Sequence, residues 1–252
     1  MRKFLILLVF GAYFLLIPLT LMADDGNTYN DSFPKAKEWL LNKVYTDHRT
    51  TLYCGAEFLP DKTIVLPPGF KTDKYQARAN RLEWEHVVPA ENFGRGFPEW
   101  REGHPDCVDK SGKPFKGRKC AELTNKSYRL MQADMYNLYP AIGAVNAARQ
   151  NYNFIQFQDD KDSSFGSCLM KIHNRKVEPP APVRGMIART YLYFEDAYTP
   201  YRMSDSQRHL MEAWDRLYPV TKWECERACR IYKIQKNKNK IMEKRCEGIW
   251  EC

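Results

Sequence analysis

Residues 81–90 read Arg-Leu-Glu-Trp-Glu-His-Val-Val-Pro-Ala, and the predicted fold is built around this stretch. Two carboxylates, Glu83 and Glu85, stand beside His86. Carboxylate oxygens next to an imidazole are suited to holding a hard divalent cation beside a general base. The common alternative is an exposed strand edge with alternating glutamates and a buried tryptophan. Features elsewhere in the chain are needed to distinguish these two interpretations. Pro89 predicts that a strand here ends early.

The composition is that of a globular protein. The chain has 252 residues, of which 44% are apolar and 13% aromatic. Such a length supports one hydrophobic core or at most two small ones. There is no internal repeat and no change of composition that would mark a domain boundary. We therefore predict one domain over residues 24–252, of the α+β class and rich in helix.

The N-terminus has the pattern of a secretory signal peptide. Arg2 and Lys3 precede an apolar run over residues 4–22, which ends at the small Ala23. A basic start, an apolar middle and a small residue before the cleavage point are typical of such peptides. The alternative is an uncleaved membrane anchor, since the run is nearly long enough to span a bilayer. We predict a signal peptide over residues 1–23, a periplasmic or secreted protein, and no stable membrane insertion after its removal.

Export changes the interpretation of the cysteines. There are eight of them, and an even number in an exported protein favours disulfide bonds. A zinc site is the alternative, but the chain has no Cys-x-x-Cys pair. Cys225 and Cys229 could form one half of a metal site, and no second half matches them. We predict disulfides and leave their pairing open, since eight cysteines allow about 105 connectivities.

The positive charge predicts an anionic partner. The formal net charge is +8, and removal of Arg2 and Lys3 with the signal peptide leaves 37 basic against 31 acidic residues, a net charge of +6. Nucleic acid, lipopolysaccharide and acidic polysaccharide all fit this charge. A basic run near the C-terminus, usually a solvated face, could follow a phosphate backbone. It consists of Lys233, Lys236, Lys238, Lys240, Lys244 and Arg245.

Apolar residues recur at helical spacing along the chain. Asn146 falls in the middle of a predicted helix, where asparagine has little intrinsic preference. It is therefore either solvent-facing or held by something that needs its amide oxygen. Residues 103–119 are rich in Gly, Pro and Lys and indicate a long loop pinned by cysteines, and loops of this length are often functional. Helices are predicted over residues 31–44, 126–138, 140–152, 184–194 and 223–235.

Four blocks of the chain, in order, resemble the bacterial endonuclease I family of exported, disulfide-bonded, metal-dependent nucleases. Together they extend over most of the mature chain, and four ordered blocks are much more specific than any single one. The blocks are Glu-Trp-Glu-His-Val-Val-Pro-Ala at 83–90, Asp-Met-Tyr-Asn-Leu-Tyr-Pro-Ala-Ile-Gly-Ala-Val-Asn at 134–146, Arg-Gly-Met-Ile-Ala-Arg-Thr-Tyr at 184–191, and Tyr-Pro-Val-Thr-Lys-Trp-Glu-Cys-Glu-Arg at 218–227.

The resemblance implies a ββα-metal (His-Me finger) core, in which a strand carries the base and a following helix supplies a metal ligand. It implies that Glu85 and Asn146 bind one Mg²⁺, with Mn²⁺ or Ca²⁺ as substitutes, and that His86 is the general base. Magnesium binds few protein oxygens and keeps several waters, so one carboxylate and one amide oxygen suffice. Neighbours on a flat strand point to opposite faces, so Glu85 and His86 can serve one phosphate only if the strand ends or twists sharply there, which Pro89 favours. Glu83 is then expected to orient a ligand or a basic side chain.

The resemblance also implies that Arg118, in Gly-Arg-Lys-Cys at 117–120, contacts the cleaved phosphate. Its guanidinium could make paired hydrogen bonds to phosphate oxygens. Here the chain departs from the family pattern, because the spacing from arginine to cysteine is one residue shorter and the preceding loop is enlarged. Gln132 and Tyr136 stand where relatives often have an acid and a histidine. Either change would alter the surroundings of the metal or the rate.

The function that the sequence predicts is a non-specific endonuclease. It would hydrolyse phosphodiester bonds of DNA, and of RNA as well, as a monomer that holds the phosphate backbone and leaves 5′-phosphates. No base-reading module such as a zinc finger is recognisable. Two alternatives stay open. One is an exported, disulfide-bonded protein that binds nucleic acid or another polyanion without catalysis, and the other is a metal-dependent phosphodiesterase that acts on small nucleotides.

Overall fold

The computed structural model describes residues 25–249 and 252, so the predicted signal peptide lies outside the described residues. The fold is α+β and rich in helix, as predicted. No helix in the described part is long and apolar enough to cross a membrane. The helices are α1 (Phe33–Trp39), α2 (Ala90–Gly94), α3 (Pro98–Arg101), α4 (Arg118–Thr124), α5 (Lys126–Gln132), α6 (Gly143–Arg149), α7 (Arg184–Ala197), α8 (Asp205–Leu217), α9 (Lys222–Gln235) and α10 (Lys240–Cys246). The strands are β1 (Glu57–Phe58), β2 (Ile64–Val65), β3 (Leu82–His86), β4 (Leu138–Ile142), β5 (Asn153–Phe154), β6 (Lys171–His173) and β7 (Lys176–Glu178).

Helix α1 forms because its sequence supplies a cap, an early proline and an apolar face. The Ser32 side chain accepts a hydrogen bond from the backbone N–H of Lys35 at 3.3 Å, which satisfies one of the free donors of the first turn. Proline is tolerated in that turn because no intrahelical donor is removed there. Ala36 is fully buried. The helix continues as a π-helical turn, Leu40–Val44, so the helix predicted here is confirmed.

Two strands and a helix form the centre of the fold. Strand β3 pairs antiparallel with β4, which places Glu85 opposite Tyr139. Helix α6 follows β4 without a loop. The chain can turn there because Gly143 has no side chain: an added Cβ would lie 2.6 Å from the carbonyl oxygen of Arg78. The strand–strand–helix order is the ββα core that the resemblance implies.

Two predicted helices are wrong at their boundaries with β4. Residues 140–142 end strand β4, and the helix begins only at Gly143. The preceding helix, α5, ends at Gln132, and Leu138 belongs to the strand. Strand β4 has β3 as its only neighbour in this sheet, and on the other edge the carbonyl of Pro140 accepts from the backbone N–H of Leu52 at 2.8 Å, so the missing N–H of Pro140 is tolerated on an edge strand. Pairing with β3 therefore outweighs the local helix preference.

The core packs helix α7 against α8. Phe194 of α7 and Met211 and Trp214 of α8 are buried in it. Full burial of a large apolar side chain contributes roughly 1.5–3 kcal/mol. Tyr191, also on α7, connects this core to the ββα unit, because its hydroxyl accepts a hydrogen bond from Nη2 of Arg149 at 3.4 Å.

All eight cysteines form disulfide bonds, as predicted, so no zinc half-site exists. The pairs are Cys54–Cys168, Cys107–Cys120, Cys225–Cys246 and Cys229–Cys252. The second pair ties the long loop to helix α4, whereas the first joins positions 114 residues apart. In the loop-entropy account, closing a loop of that length contributes about 5 kcal/mol, and closing the shortest one about 3 kcal/mol.

Candidate active site

The two faces of strand β3 separate the residues of the Glu-Trp-Glu-His motif. Glu83 and Glu85 accept hydrogen bonds from side chains of helix α6. His86 instead lies against the rings of Phe33 and Phe93, at centroid distances of 5.0 and 6.1 Å. Glu85 and His86 thus have separate sets of side-chain partners, as expected for neighbours on a strand.

One hydrogen bond fixes the tautomer of His86. Burial, followed by the nearby cation of Arg118, lowers the pKa of His86 to about 3, so the ring is neutral near pH 7. Its Nε2 lies 2.9 Å from the backbone carbonyl oxygen of Gln132. A carbonyl oxygen can only accept, so Nε2 carries the proton and Nδ1 keeps its lone pair. The ring can therefore accept a proton at Nδ1.

Arg118 presents free donors beside this histidine. It is the first residue of helix α4, and its guanidinium lies 5.7 Å from the centre of the Phe33 ring, which also contacts His86. Its Nε donates to Oε1 of Glu122 at 2.9 Å, while its two Nη groups have no hydrogen bond to any described residue. The side chain is 43% exposed. Two nitrogen donors are therefore open to a ligand.

Gln132 connects His86 and Arg118. Its carbonyl accepts from His86, and its side-chain Nε2 donates to Oε1 of Glu122. The same oxygen accepts from Arg118. The carboxylate beside Arg118 thus comes from Glu122, whereas Gln132 supplies an amide. Sequence reasoning missed Glu122, although its i,i+4 spacing from Arg118 on a helix is a usable signal.

Glu85 and Arg149 form a buried ion pair on the opposite face. Their side chains are 4% and 0% exposed, and Arg149 Nη1 lies 2.9 Å from Glu85 Oε1. The Tyr53 hydroxyl donates to the same oxygen at 2.7 Å. The other oxygen of Glu85, Oε2, has no hydrogen bond within residues 25–249. Burial raises the pKa of Glu85, and the Arg149 cation opposes this effect.

Arg149 also fixes the end of strand β3. Its guanidinium donates to the backbone carbonyls of His86 at 2.8 Å and Val87 at 2.6 Å. Because one side chain holds both Glu85 and the carbonyl of His86, helix α6 sets the position of these two neighbours. Arg149 was not among the predicted site residues. Its only sequence signal is its place three residues after Asn146, on the same side of a helix.

The hydrogen-bond partner of Asn146 is Glu83. Burial would raise the pKa of Glu83, but hydrogen bonds from Arg78 and Arg81 outweigh it and lower the pKa. These bonds are 2.8 Å from Nε of Arg78 and 2.7 Å from Nη2 of Arg81. Nδ2 of Asn146 donates to Oε2 of Glu83 at 2.9 Å. An ionised carboxylate can only accept, so the amide nitrogen faces Glu83 and Oδ1 of Asn146 is turned away from it.

The oxygens that remain fit a hard divalent cation. Among the described residues, no three or more His, Cys, Asp or Glu side chains cluster so as to hold a metal. Mg²⁺ does not need such a cluster, because it binds one or two carboxylates and keeps several waters. Glu85 Oε2 and Asn146 Oδ1 have no hydrogen bond within the described part of the chain. A carboxylate and an amide oxygen of this kind fit the ion.

Two other features singled out in the sequence have structural partners. Tyr136 is buried, and its hydroxyl lies 3.2 Å from the carbonyl oxygens of Ala228 and Asn237. In the C-terminal basic run, three cations are paired with acids. These pairs are Lys238 with Glu243, Lys240 with Asp25, and Arg245 with Asp215. The run therefore has less free charge for a phosphate backbone than its sequence suggests.

Comparison with known proteins identifies the family. Residues 68–246, which include every predicted site residue, match the family model described as Endonuclease I. The chain belongs to the endonuclease I family. An extracellular deoxyribonuclease of Aeromonas hydrophila is 40% identical over 240 residues, which cover 92% of this chain and 95% of the relative. A periplasmic deoxyribonuclease of the same species is 39% identical, with 92% of each chain covered. An endonuclease-1 of Buchnera aphidicola is 37% identical over 81% of this chain and 78% of the relative.

This endonuclease I protein is therefore a nuclease, and its location is periplasmic or extracellular. The match to the family begins at residue 68. Phe33, which contacts both His86 and Arg118, lies before that point, as does Tyr53, which donates to Glu85. The N-terminal part of the chain thus contributes to both faces of the candidate site.

Proposed function

We propose that this endonuclease I protein is a metal-dependent, non-specific endonuclease that hydrolyses DNA, and RNA as well, to leave 5′-phosphates. One observation carries the proposal: His86 and Arg118 both lie against the ring of Phe33, and neither Nδ1 of the neutral His86 nor the Nη groups of Arg118 form a hydrogen bond with any described residue. A proton acceptor beside two cationic donors suits the hydrolysis of a phosphodiester. The deoxyribonuclease names of two relatives support DNA as a substrate.

His86 acts as the general base. Its Nδ1 takes a proton from the attacking water, while Nε2 stays hydrogen-bonded to Gln132 and keeps the ring oriented. Attack opposite the 3′-oxygen forms the bond from the water oxygen to phosphorus and breaks the bond from phosphorus to the 3′-oxygen, which leaves and takes a proton from solvent, so the phosphate stays on the 5′ side. A phosphate bound nearby is an opposite charge to imidazolium, so it raises the proton affinity of His86 above that of the free protein.

Arg118 binds the phosphate. Its two Nη groups can donate paired hydrogen bonds to phosphate oxygens. Glu122 holds Nε, so the plane of the guanidinium is oriented before the substrate arrives. Gln132 contacts both His86 and Glu122. One residue of α5 therefore keeps the proton acceptor and the phosphate donors at a set distance.

Glu85 and Asn146 would hold the cation, through Oε2 and Oδ1. We propose Mg²⁺, with Mn²⁺ or Ca²⁺ as substitutes in binding. A bound divalent cation supplies charge stabilisation at the phosphate and at the leaving oxygen. Arg149 positions Glu85, and Glu83 positions Asn146. Each expected ligand is thus oriented by a charged neighbour, an arrangement that typically supports metal affinity.

The proposed site contacts phosphate and has no element that reads bases. We therefore expect the enzyme to have little preference for DNA sequence. The groups that would contact phosphate in the proposed site are the guanidinium of Arg118 and a metal, and neither distinguishes one base from another. All the residues to which we assign a role lie on one chain. We therefore propose that the protein acts as a monomer.

Incubation of the purified chain with supercoiled plasmid tests the proposal. We expect cutting in Mg²⁺, no cutting in EDTA, and degradation of RNA under the same conditions. The product ends should accept a 5′ label from polynucleotide kinase only after phosphatase treatment. Plasmid that is bound but intact in Mg²⁺ would favour the polyanion-binding alternative. Hydrolysis of a small phosphodiester with the plasmid intact would favour the small-nucleotide phosphodiesterase.

Substitution of the proposed general base, His86, is the most direct test by mutation. His86→Ala should lower the cutting rate by about 10²- to 10⁴-fold and leave DNA binding in EDTA nearly unchanged. His209→Ala is the matched control, since His209 is exposed on helix α8 and belongs to neither face of the site. It should cut as fast as the unsubstituted chain. Loss of DNA binding in His86→Ala would mean that the histidine is structural and not a base.

A further inference from the structure

Aromatic and basic side chains cover one side of helix α1. The ring of Tyr29 stacks on that of Trp39, with centroids 6.2 Å apart and an interplanar angle of 23°. Lys35 and Lys43, four residues to either side of Trp39, lie over its ring at 4.8 and 5.7 Å. Tyr29 is 62% exposed. We call these four residues the α1 platform.

Helix α1 also contributes side chains to the candidate active site. Phe33, on the same helix, lies 5.0 Å from the ring of His86 and carries the Lys37 ammonium at 4.6 Å. Positions 33 and 39 are about 9 Å apart along the helix axis and about 120° apart around it. A strand whose phosphate lies between His86 and Arg118 therefore has to pass partly round the helix to reach Trp39, a path of roughly four or five nucleotides.

The lysines of this helix are not neutralised. Lys35, Lys37 and Lys43 form no ion pair with any residue that the structure describes, whereas three cations of the C-terminal run do. Their ammonium groups rest on aromatic rings, and such contacts hold a cation in place without cancelling its charge. Free cations attract phosphates, and an exposed ring face can stack on a base. The helix offers both to one ligand.

We propose that the α1 platform binds a single-stranded segment of DNA next to the bond that is cut, with a base stacked on Tyr29. This deepens the proposed function and rests on it for the position of the cut. In an intact duplex the base faces are occupied by neighbouring pairs, so only unpaired nucleotides can use an exposed ring. The platform therefore gives the protein a preference for unpaired over paired DNA.

Binding measured without cutting tests this inference. The full mature chain is titrated in EDTA against a labelled 12-nucleotide oligothymidine and against a hairpin duplex with the same number of phosphates. Tyr29→Ala should weaken binding of oligothymidine by about 5- to 150-fold and change binding of the duplex by less than about two-fold. Tyr75→Ala is the matched control, since this ring is 42% exposed, lies near a cation, Arg78, and is not on α1. It should bind both ligands normally.

Two further variants keep the inference falsifiable if one protein folds poorly. Trp39→Phe keeps a ring under Tyr29 and should retain the preference for oligothymidine. Lys35→Gln combined with Lys43→Gln should reduce the salt dependence of oligothymidine binding by about 1.4 in log–log slope, or about 0.7 for each phosphate that is no longer neutralised. An unchanged affinity in Tyr29→Ala, or an equal weakening for both ligands, would overturn the inference.

The same design separates this inference from the proposed function. Because the titrations contain EDTA, they do not depend on cutting. If oligothymidine binding depends on Tyr29 but plasmid stays uncut, the proposed nuclease mechanism is wrong and the inference about the α1 platform is supported. If plasmid is cut but Tyr29→Ala binds oligothymidine as well as the unsubstituted chain, the nuclease mechanism is supported and the inference about the α1 platform is wrong.

Discussion

The two faces of strand β3 are built in different ways. On the α6 face, Glu85 and Arg149 are buried, and Arg149 holds both the carboxylate and two backbone carbonyls. On the other face, His86 has one side-chain hydrogen bond, and its neighbour Arg118 is 43% exposed with two free Nη groups. One face of the strand is thus a saturated interior, whereas on the other a buried imidazole lies beside an exposed guanidinium.

One face therefore holds the expected metal ligands in position, and the other carries the groups expected to react with the substrate. Buried charges with several partners are costly to separate, so the α6 face can keep the expected metal ligands in place before a cation arrives. The His86 face instead leaves a lone pair and two donors available, and its Phe33 ring excludes water from one side of the imidazole. If this division is right, substitutions on the α6 face should affect stability and metal affinity, and those on the other face should affect chiefly the rate.

Loss of Arg149 should have the largest effect. In Arg149→Met the buried carboxylate of Glu85 loses its counter-charge, and the carbonyls of His86 and Val87 lose their donor. Removal of one partner of a buried ion pair typically costs about 3–5 kcal/mol of unfolding free energy. Urea unfolding followed by circular dichroism measures this cost.

Arg216→Met is the control for that experiment, because Arg216 is exposed in the last turn of helix α8. An exposed arginine contributes about 0–1 kcal/mol, so its removal should leave the unfolding curve nearly unchanged. A similar small effect in Arg149→Met would show that the α6 face is not held together by this side chain, and the contrast between the faces would disappear.

The sequence was sufficient for features that depend on neighbouring residues. Helix α1 could be predicted because Ser32 caps it and its apolar residues recur at helical spacing. Disulfide bonding followed from export and an even cysteine count. The α+β class followed from the order of the blocks that resemble endonuclease I, and strand geometry indicated that Glu85 and His86 point to opposite faces unless the strand ends or twists there.

Features that depend on distant residues could not be predicted in this way. Strand β4 was predicted as helix, since a short apolar run has no periodicity that distinguishes the two. Only pairing with β3 makes it a strand. The Glu83–Asn146 hydrogen bond spans 63 residues and the His86–Gln132 bond 46. Neither partner's identity is set by local spacing, so the resemblance alone placed Asn146 in the site, and Glu122 and Arg149 were missed.

Replacing Glu83 with a neutral residue should weaken metal binding more than it lowers the stability of the fold. A glutamine there has one oxygen, which Arg78 and Arg81 already require, and a nitrogen that repels Nδ2 of Asn146. Asn146 is then free to turn its oxygen away from the cation. In Glu83→Gln the Mg²⁺ concentration for half-maximal plasmid cutting should rise by about 10- to 100-fold. The rate at saturating Mg²⁺ should largely recover.

Glu91→Gln is a close match for this variant. Oε2 of Glu91 accepts from Nδ2 of Asn151 at 2.7 Å, which is a carboxylate–asparagine pair of the same kind outside the proposed site. Its Mg²⁺ requirement should equal that of the unsubstituted chain. An unchanged requirement in Glu83→Gln itself would mean that Asn146 needs no help from Glu83, or that it binds no metal.

Substitution of Glu122, which lies on the His86 face, should have the smallest effect. Glu122→Ala leaves Nε of Arg118 and Nε2 of Gln132 without their shared acceptor, so kcat/KM should fall by about 10-fold. Glu122→Gln keeps an accepting oxygen and should restore most of the rate, which a purely structural role would not require. The i,i+4 pair with Arg118 contributes only about 0.3–0.5 kcal/mol, and the buried amide of Gln132, which loses its acceptor, adds about 1–3 kcal/mol to the loss of stability in Glu122→Ala. Glu226→Ala removes a similar pair with Lys222 on α9 and should leave the rate intact. If Glu122→Ala cuts at full speed, Arg118 is oriented by its substrate and not in advance.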